Sequence, residues 1–363
     1  MLIIKKWISI ILVLGLVQGL IPQAHAEGEP VISAEHAVVM GKDGRVLYAK
    51  SADEPTKIAS TTKLMTAVLA IENGHLYRSV EIKPEYCAVE GSSMYLAPGD
   101  KYTVLELLEG LLLVSGNDAA LALADHVGGD VSRFVALMNE KARLLGMSGS
   151  HFANPHGLDE ERHFSTAADL GRLMGYCMQN RTFAELMQLR SCTVRGLTFI
   201  NHNKLLNLCP GCLGGKTGFT EKAGRCLVSC CERGETRLIC VTLNDPQDWR
   251  DHELLYDWAF ARYAERNVTD GISYELPLIS GQAASVKVIA EPLELLLPLE
   301  REPELVVELP LFVFAPIHAG DTAGKIKAYA DGVLTGEARL FYENDCEQFP
   351  GRWRIGNRLR DRL

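Results

Sequence analysis

The chain has 363 residues, 47% of them apolar types and 23% charged, the balance of a packed globular protein and not of a disordered, collagen-like or multi-span membrane chain. Lysine and arginine total 37 against 46 acids, and a net charge of −9 without a central basic stripe argues against a nucleic-acid partner. The length suggests two domains.

The first 26 residues carry an address. Lys5 and Lys6 precede an apolar run from Trp7 to Ile21, Pro22 breaks it, and Ala24-His25-Ala26 offers small residues where a signal peptidase reads. A run of this length that holds Gly15, Gln18 and Gly19 is short for a membrane span. A cleaved signal (1–26) and an exported mature chain are therefore expected. The ten cysteines all follow it. Cys209-Pro-Gly-Cys212 has redox or zinc-type spacing, but no second C-x-x-C completes a four-thiolate site, so no metal and no catalytic role is assigned.

From 34 to 263 short strands alternate with amphipathic helices. His36–Met40 and Val46–Lys50 flank Gly41-Lys42-Asp43-Gly44, a hairpin signal. Helical periods run over 60–72, 103–127, 132–145 and 166–179. A second hairpin joins Cys226–Cys231 to Arg237–Leu243 through Arg233-Gly234, and a last helix fits 249–263. Hairpins at both ends with helices between predict an antiparallel sheet packed with helices. Beyond Asn267, β-rich runs at Ser285–Ile289, Glu304–Leu309, Lys325–Ala330 and Glu337–Tyr342 predict a small all-β domain. The final stretch, Arg352–Leu363, is arginine-rich and sets Ile355, Leu359 and Leu363 on one helical stripe, which fits either a solvated, frayed terminus or weak contact with an anionic membrane surface.

Three short motifs carry the chemistry. Ser60-Thr61-Thr62-Lys63 opens a helical period, so the lysine amine at i+3 lies beside the serine hydroxyl. A lysine whose burial lowers its pKa can take the serine proton. Ser115-Gly116-Asn117 falls at a turn between two apolar helical stretches. Lys216-Thr217-Gly218 precedes a strand pair and suits a sheet edge, where a cation and a hydroxyl can hold a substrate carboxylate. It is no phosphate loop, because that motif needs glycine where Pro210 stands. Each motif alone has an ordinary reading as a cap, a turn or a strand edge.

Together, once each and in this order, S-x-x-K, S-x-N and K-T-G form the set of the penicillin-recognising acyl-serine enzymes. The sequence around them resembles the low-molecular-weight D-alanyl-D-alanine carboxypeptidases: Ala59–Thr66, Leu113–Ala120, Asn154-Pro155-His156-Gly157-Leu158-Asp159 and Gly215–Thr220 carry the likeness. The resemblance implies a mixed α/β (α+β) fold, a transpeptidase/β-lactamase-like domain (27–263) of antiparallel sheet and helical lobe. A small β-sandwich domain (264–346) and a basic tail (347–363) would follow. It further implies Ser60 as nucleophile, Lys63 as its base and Ser115 as helper in proton transfer. Backbone N–H groups of Ser60 and Phe219 would form the oxyanion hole. Asn117 would hold the peptide, and Lys216, Thr217 and Arg250 the terminal carboxylate, with Gly218 and Phe219 also at the substrate site and His156 structural. The implied substrate is a peptidoglycan stem peptide ending in D-Ala-D-Ala, on the cell-wall side of the membrane, with β-lactams as inhibitors and no cofactor. A β-lactamase shares the motifs, but no E-x-x-L-N lies between Asn117 and Lys216. A non-catalytic β-lactam sensor or scaffold is the other alternative.

Overall fold

A computed structural model describes residues 28–349. The signal segment 1–26 and the arginine-rich stretch Arg352–Leu363 lie outside the described residues. Residues 28–31 belong to a leading unit, Met1–Val31, and the description below concerns the unit from Ile32 onward.

A five-stranded antiparallel sheet forms the centre, in the order Val46–Lys50, His36–Gly41, Thr236–Leu243, Gly224–Arg233, Cys212–Thr220. Side chains alternate across it as strand geometry demands. Val38, Met40, Val228, Cys230, Ile239 and Val241 enter the larger core beneath the helical lobe. Ala37, Val39, Leu227, Cys231, Leu238 and Cys240 pack instead on the helix Asp248–Phe260, through Leu255 and Tyr256. Because both faces are covered, the strands read as near-continuous apolar runs.

The helical lobe comprises Lys63–Asn73, Val104–Leu113, Asn117–Gly128, Val131–Leu144 and Ala167–Cys177. Local chemistry starts these helices where the chain requires. Thr103 and Glu106 form a reciprocal capping box, and Asp130 and Thr166 cap Val131–Leu144 and Ala167–Cys177 through the N–H groups of Arg133 and Asp169. The apolar period expected over 103–127 breaks at Val114–Gly116, where Ser115 takes φ +62. Lys63–Asn73 is preceded by one 3-10 turn, Ala59–Thr62. The short helix Arg181–Gln188 and the hairpin Ser191–Val194/Leu197–Ile200 were not foreseen in the sequence.

After the last helix, Tyr263–Asn267 pairs with Glu294–Pro298, whose Leu296 joins the core around the central sheet. Arg45 donates to the Leu296 carbonyl at 2.7 Å, tying that strand to the first hairpin. A six-stranded sheet follows, in the order Glu304–Glu308, Thr322–Ala330, Val333–Tyr342, Ser285–Ala290, Ser273–Ile279, Val313–Phe314, with its own apolar cluster around Val288, Ile326 and Leu340.

Candidate active site

The edge strand Cys212–Thr220 runs past the 3-10 turn that carries Ser60, and the two nearly touch. A Cβ placed on Gly218 would lie 2.9 Å from the Ser60 backbone nitrogen and 3.1 Å from both Ala59 Cβ and the Ile58 oxygen. Gly157 (φ +91) meets the same turn, where a Cβ would run into the Ala59 carbonyl. The turn is therefore packed against two positions that only glycine fits. Ala59 itself sits at φ +46, a conformation costly for a residue with a Cβ and retained where the surroundings impose it.

The loop Asn154–Asp159 builds one of these contacts. Asn154 accepts from the Gly157 N–H at 2.7 Å and donates to the Leu158 carbonyl at 2.9 Å and to Glu160 Oε1 at 2.7 Å. Thr66 donates to the Pro155 carbonyl, and Thr220 reaches across from the strand to Asp159 at 3.0 Å. Below, Thr62 donates to the Ala59 carbonyl and lies 2.7 Å from His163 Nε2, while His163 Nδ1 accepts from the Ala153 N–H. These partners fix the neutral tautomer with its proton on Nε2. Burial, the largest cause, pulls the His163 pKa down to about 3, so it stays neutral at physiological pH.

Ser60 and Lys63 meet as their spacing predicts. Lys63 Nζ is 2.8 Å from Ser60 Oγ, 2.7 Å from Asn117 Oδ1 and 2.6 Å from the His156 carbonyl oxygen. Lys63 is fully buried. Burial first, then the charge of Lys216, push its pKa well below the ordinary lysine value. An amine in its neutral form has two N–H donors and one lone pair. Asn117 and His156 offer no proton to it, so they take the two donors and leave the lone pair to the Ser60 hydroxyl. That is the arrangement a general base requires.

Ser115 lines the same cleft but takes a hydrogen bond from Lys216 Nζ at 3.1 Å; Lys216 also donates to the Thr217 carbonyl at 2.7 Å. Burial lowers the Lys216 pKa to about 7. The cleft, of about 1000 Å³, is walled by Thr217, Gly218 and Phe219, by Ser92 and Tyr95, and by the hairpin residues Leu197–Ile200.

Asn117 is buried, with its oxygen on Lys63 and its amide nitrogen on the Glu90 carbonyl at 2.6 Å, so it helps hold the base in place. Asp118 beside it anchors the adjoining loop, accepting from Ser93 Oγ and from the N–H groups of Met94 and Leu96. Arg250 is not brought to the cleft. It hydrogen-bonds Gln247 and, with Glu253, Leu254 and Asp257, lines a separate depression. Those four positions form one helical face, whereas Asp248 and Trp249 open toward the cleft. The arginine that does line the cleft is Arg225, held by three hydrogen bonds to the Asp248 carboxylate, with its guanidinium 5.6 Å from the Trp249 ring. Strand register could have found it, since Arg225 is the cross-strand partner of Phe219.

An antiparallel sheet with a helical lobe, a cleft serine held against a buried lysine, and the K-T-G strand lining the same cleft define a serine peptidase of the penicillin-binding-protein fold. The chain belongs to the peptidase S11 family, D-alanyl-D-alanine carboxypeptidase, whose model matches residues 23–247. It is a serine-type D-Ala-D-Ala carboxypeptidase. Among its relatives, D-alanyl-D-alanine carboxypeptidase DacF of Bacillus subtilis is 29% identical over 95% of both chains. DacC of Escherichia coli is 33% identical over 71% of this chain and 72% of its own. Among solved structures, penicillin binding protein 5 from Haemophilus influenzae superposes with a TM-score of 0.73 at 29% identity, covering 89% of this chain and 100% of that one.

Proposed function

We propose that the enzyme removes the terminal D-alanine from peptidoglycan stem peptides through an acyl-enzyme on Ser60. The observation that carries this reading is the 2.8 Å approach of Ser60 Oγ to a lysine amine whose other partners, Asn117 Oδ1 and the His156 carbonyl, are acceptors. Lys63 takes the hydroxyl proton as Oγ attacks the carbonyl between the two D-alanines. The developing oxyanion is held by the N–H groups of Ser60 and Phe219, aligned by the close approach of Gly218. Lys63 returns the proton to the departing amine, with the Ser115 hydroxyl beside it in the cleft. Protonated Lys216, Thr217 and Arg225 attract the terminal carboxylate, and water completes the cycle by hydrolysing the ester.

Penicillin presents a strained amide and a carboxylate to the same groups, and acylates Ser60. The substrate lies outside the cytoplasmic membrane, in keeping with the signal-like segment 1–26 and with a weakly membrane-attracted basic tail. Release of D-alanine from a diacyl-L-Lys-D-Ala-D-Ala tripeptide by the purified enzyme, lost in Ser60→Ala, is the expected result. Release by Ser60→Ala at the native rate would overturn the assignment. Continuous destruction of penicillin without a lasting adduct would favour a β-lactamase.

A further inference from the structure

On the face of the central sheet opposite the helical lobe, the cysteines set aside in the sequence gather beside Arg250. Cys209 ends the helical turn Leu205–Leu208, and Cys231 sits on the strand Gly224–Arg233. Their sulfurs are 3.6 Å apart. Cys209 is only 4% exposed, yet it forms part of the depression of about 300 Å³ lined by Arg233, Arg250, Glu253 and Asp257. The Arg233 guanidinium lies 3.9 Å from Cys209 Sγ and is itself paired to Asp257 at 2.7 Å.

We propose that Cys209 and Cys231 are a reactive thiol pair that small-molecule disulfides oxidise to an intramolecular disulfide, with Cys209 as the attacking sulfur. The other thiols of the region are less suited to attack. Cys212 is the backbone partner of Cys231, but its sulfur turns to the Gly214 carbonyl and burial raises its pKa to about 11. Burial raises Cys226 and Cys230 to about 12 and drives Cys240 higher still. Cys209 alone is shifted the other way, downward, first by the hydrogen bond from Cys231 and then, against the effect of burial, by Arg233. The thiolate is the nucleophile, so Cys209 is the sulfur that reacts.

In the first step the Cys209 thiolate attacks one sulfur of the incoming disulfide. A mixed disulfide forms at Cys209 and one thiolate leaves. Cys231 then loses its proton, attacks Cys209 Sγ and expels the second thiolate. The two protein thiols are oxidised, and the reagent is reduced to two thiols. Forming the bond from 3.6 Å to about 2.05 Å moves each sulfur by less than about 1 Å. The bridge joins the segment that carries Asn207 to the cleft and the strand beside Cys212–Thr220, so it braces one wall of the active site without entering it.

The test uses the full-length enzyme, reduced, freed of reductant and incubated with glutathione disulfide. Remaining thiols are then blocked with N-ethylmaleimide in denaturant, and peptides are mapped by mass. A Cys209–Cys231 cross-linked pair, about 2 Da below the sum of its reduced peptides, is expected, with Cys212 carrying maleimide. In Cys231→Ala the reaction stops with glutathione on Cys209; in Cys209→Ala neither bridge nor adduct forms at Cys231. The wild-type map decides even where a variant does not fold. Maleimide on both Cys209 and Cys231, lasting glutathione on wild-type Cys209, or a bridge through Cys212 would overturn the proposal.

Discussion

Gly218→Ala adds a single methyl group where the K-T-G strand meets the nucleophile. The new Cβ would stand 2.9 Å from the Ser60 nitrogen and 3.1 Å from Ala59 Cβ and the Ile58 oxygen. Ordinary contact needs about 3.5 Å, so strand and turn must separate by roughly 0.5 Å. The turn has little room to shift, because Gly157 also packs against its Ala59 carbonyl. The strand must therefore yield, carrying the Phe219 N–H with it. An oxyanion donor acts at about 2.7–3.1 Å, and losing one costs about 10²–10³ in rate. Partial loss from this shift is expected to slow acylation by both peptide and penicillin about 10- to 100-fold. Stability falls by about 1–3 kcal/mol, the usual cost of over-packing. Stopped-flow acylation with a fluorescent penicillin and a thermal unfolding curve measure the two effects. Native acylation rate and native melting temperature in this variant would refute the argument that close approach at Gly218 aligns the oxyanion hole.

Lys63→Met removes the base while keeping most of the packing, and is expected to lower the acylation rate by about 10²–10⁴, read with the same fluorescent penicillin. Lys216 has its pKa lowered to about 7 by burial, so its charge is present below that pH and lost above it. For a carboxylate-bearing peptide, kcat/KM should therefore fall as pH rises through about 7, and Lys216→Arg should move that limb upward because arginine stays charged. Asn117→Asp sets a carboxylate 2.7 Å from the Lys63 amine; it should raise the pKa of the base and move the acid limb of kcat/KM up by about 1–2 units. Arg225→Ala should raise KM for the tripeptide, while Arg250→Ala leaves peptide hydrolysis within about twofold, since surface changes away from a site have small effects. Equal losses in those two variants would contradict the assignment of the cleft arginine.

What the sequence made legible follows from the range of each interaction. Ser60 and Lys63 are neighbours through one helical turn, a relation written in i and i+3, and the hairpins carried their turn chemistry openly in Asp43-Gly44 and Arg233-Gly234. Lys216 and Ser115 meet across more than a hundred residues, which no periodicity records; only the joint order of the motifs brought them together. Resemblance failed on Arg250 because adjacent helix positions differ by about 100°, enough to turn it from the cleft that Trp249 lines. The partners of Asn117 were not legible in the sequence, for another reason. A buried amide spends its donor and acceptor on whatever is nearest, here Lys63 and the Glu90 carbonyl, and that pairing is decided only by packing. The hairpin around Arg195-Gly196 escaped notice because its outward residues Leu197 and Ile200 are apolar and exposed, blurring the alternation that marks a half-buried strand.

The most direct test of the central claim is intact mass spectrometry of the enzyme after benzylpenicillin, run beside Ser60→Ala with the drug itself monitored. One persistent adduct per wild-type chain, mapped to Ser60 and absent from the variant, is the result expected of a serine held against a desolvated lysine. An adduct of equal yield on Ser60→Ala, or an unmodified wild-type enzyme beside intact drug, would contradict it.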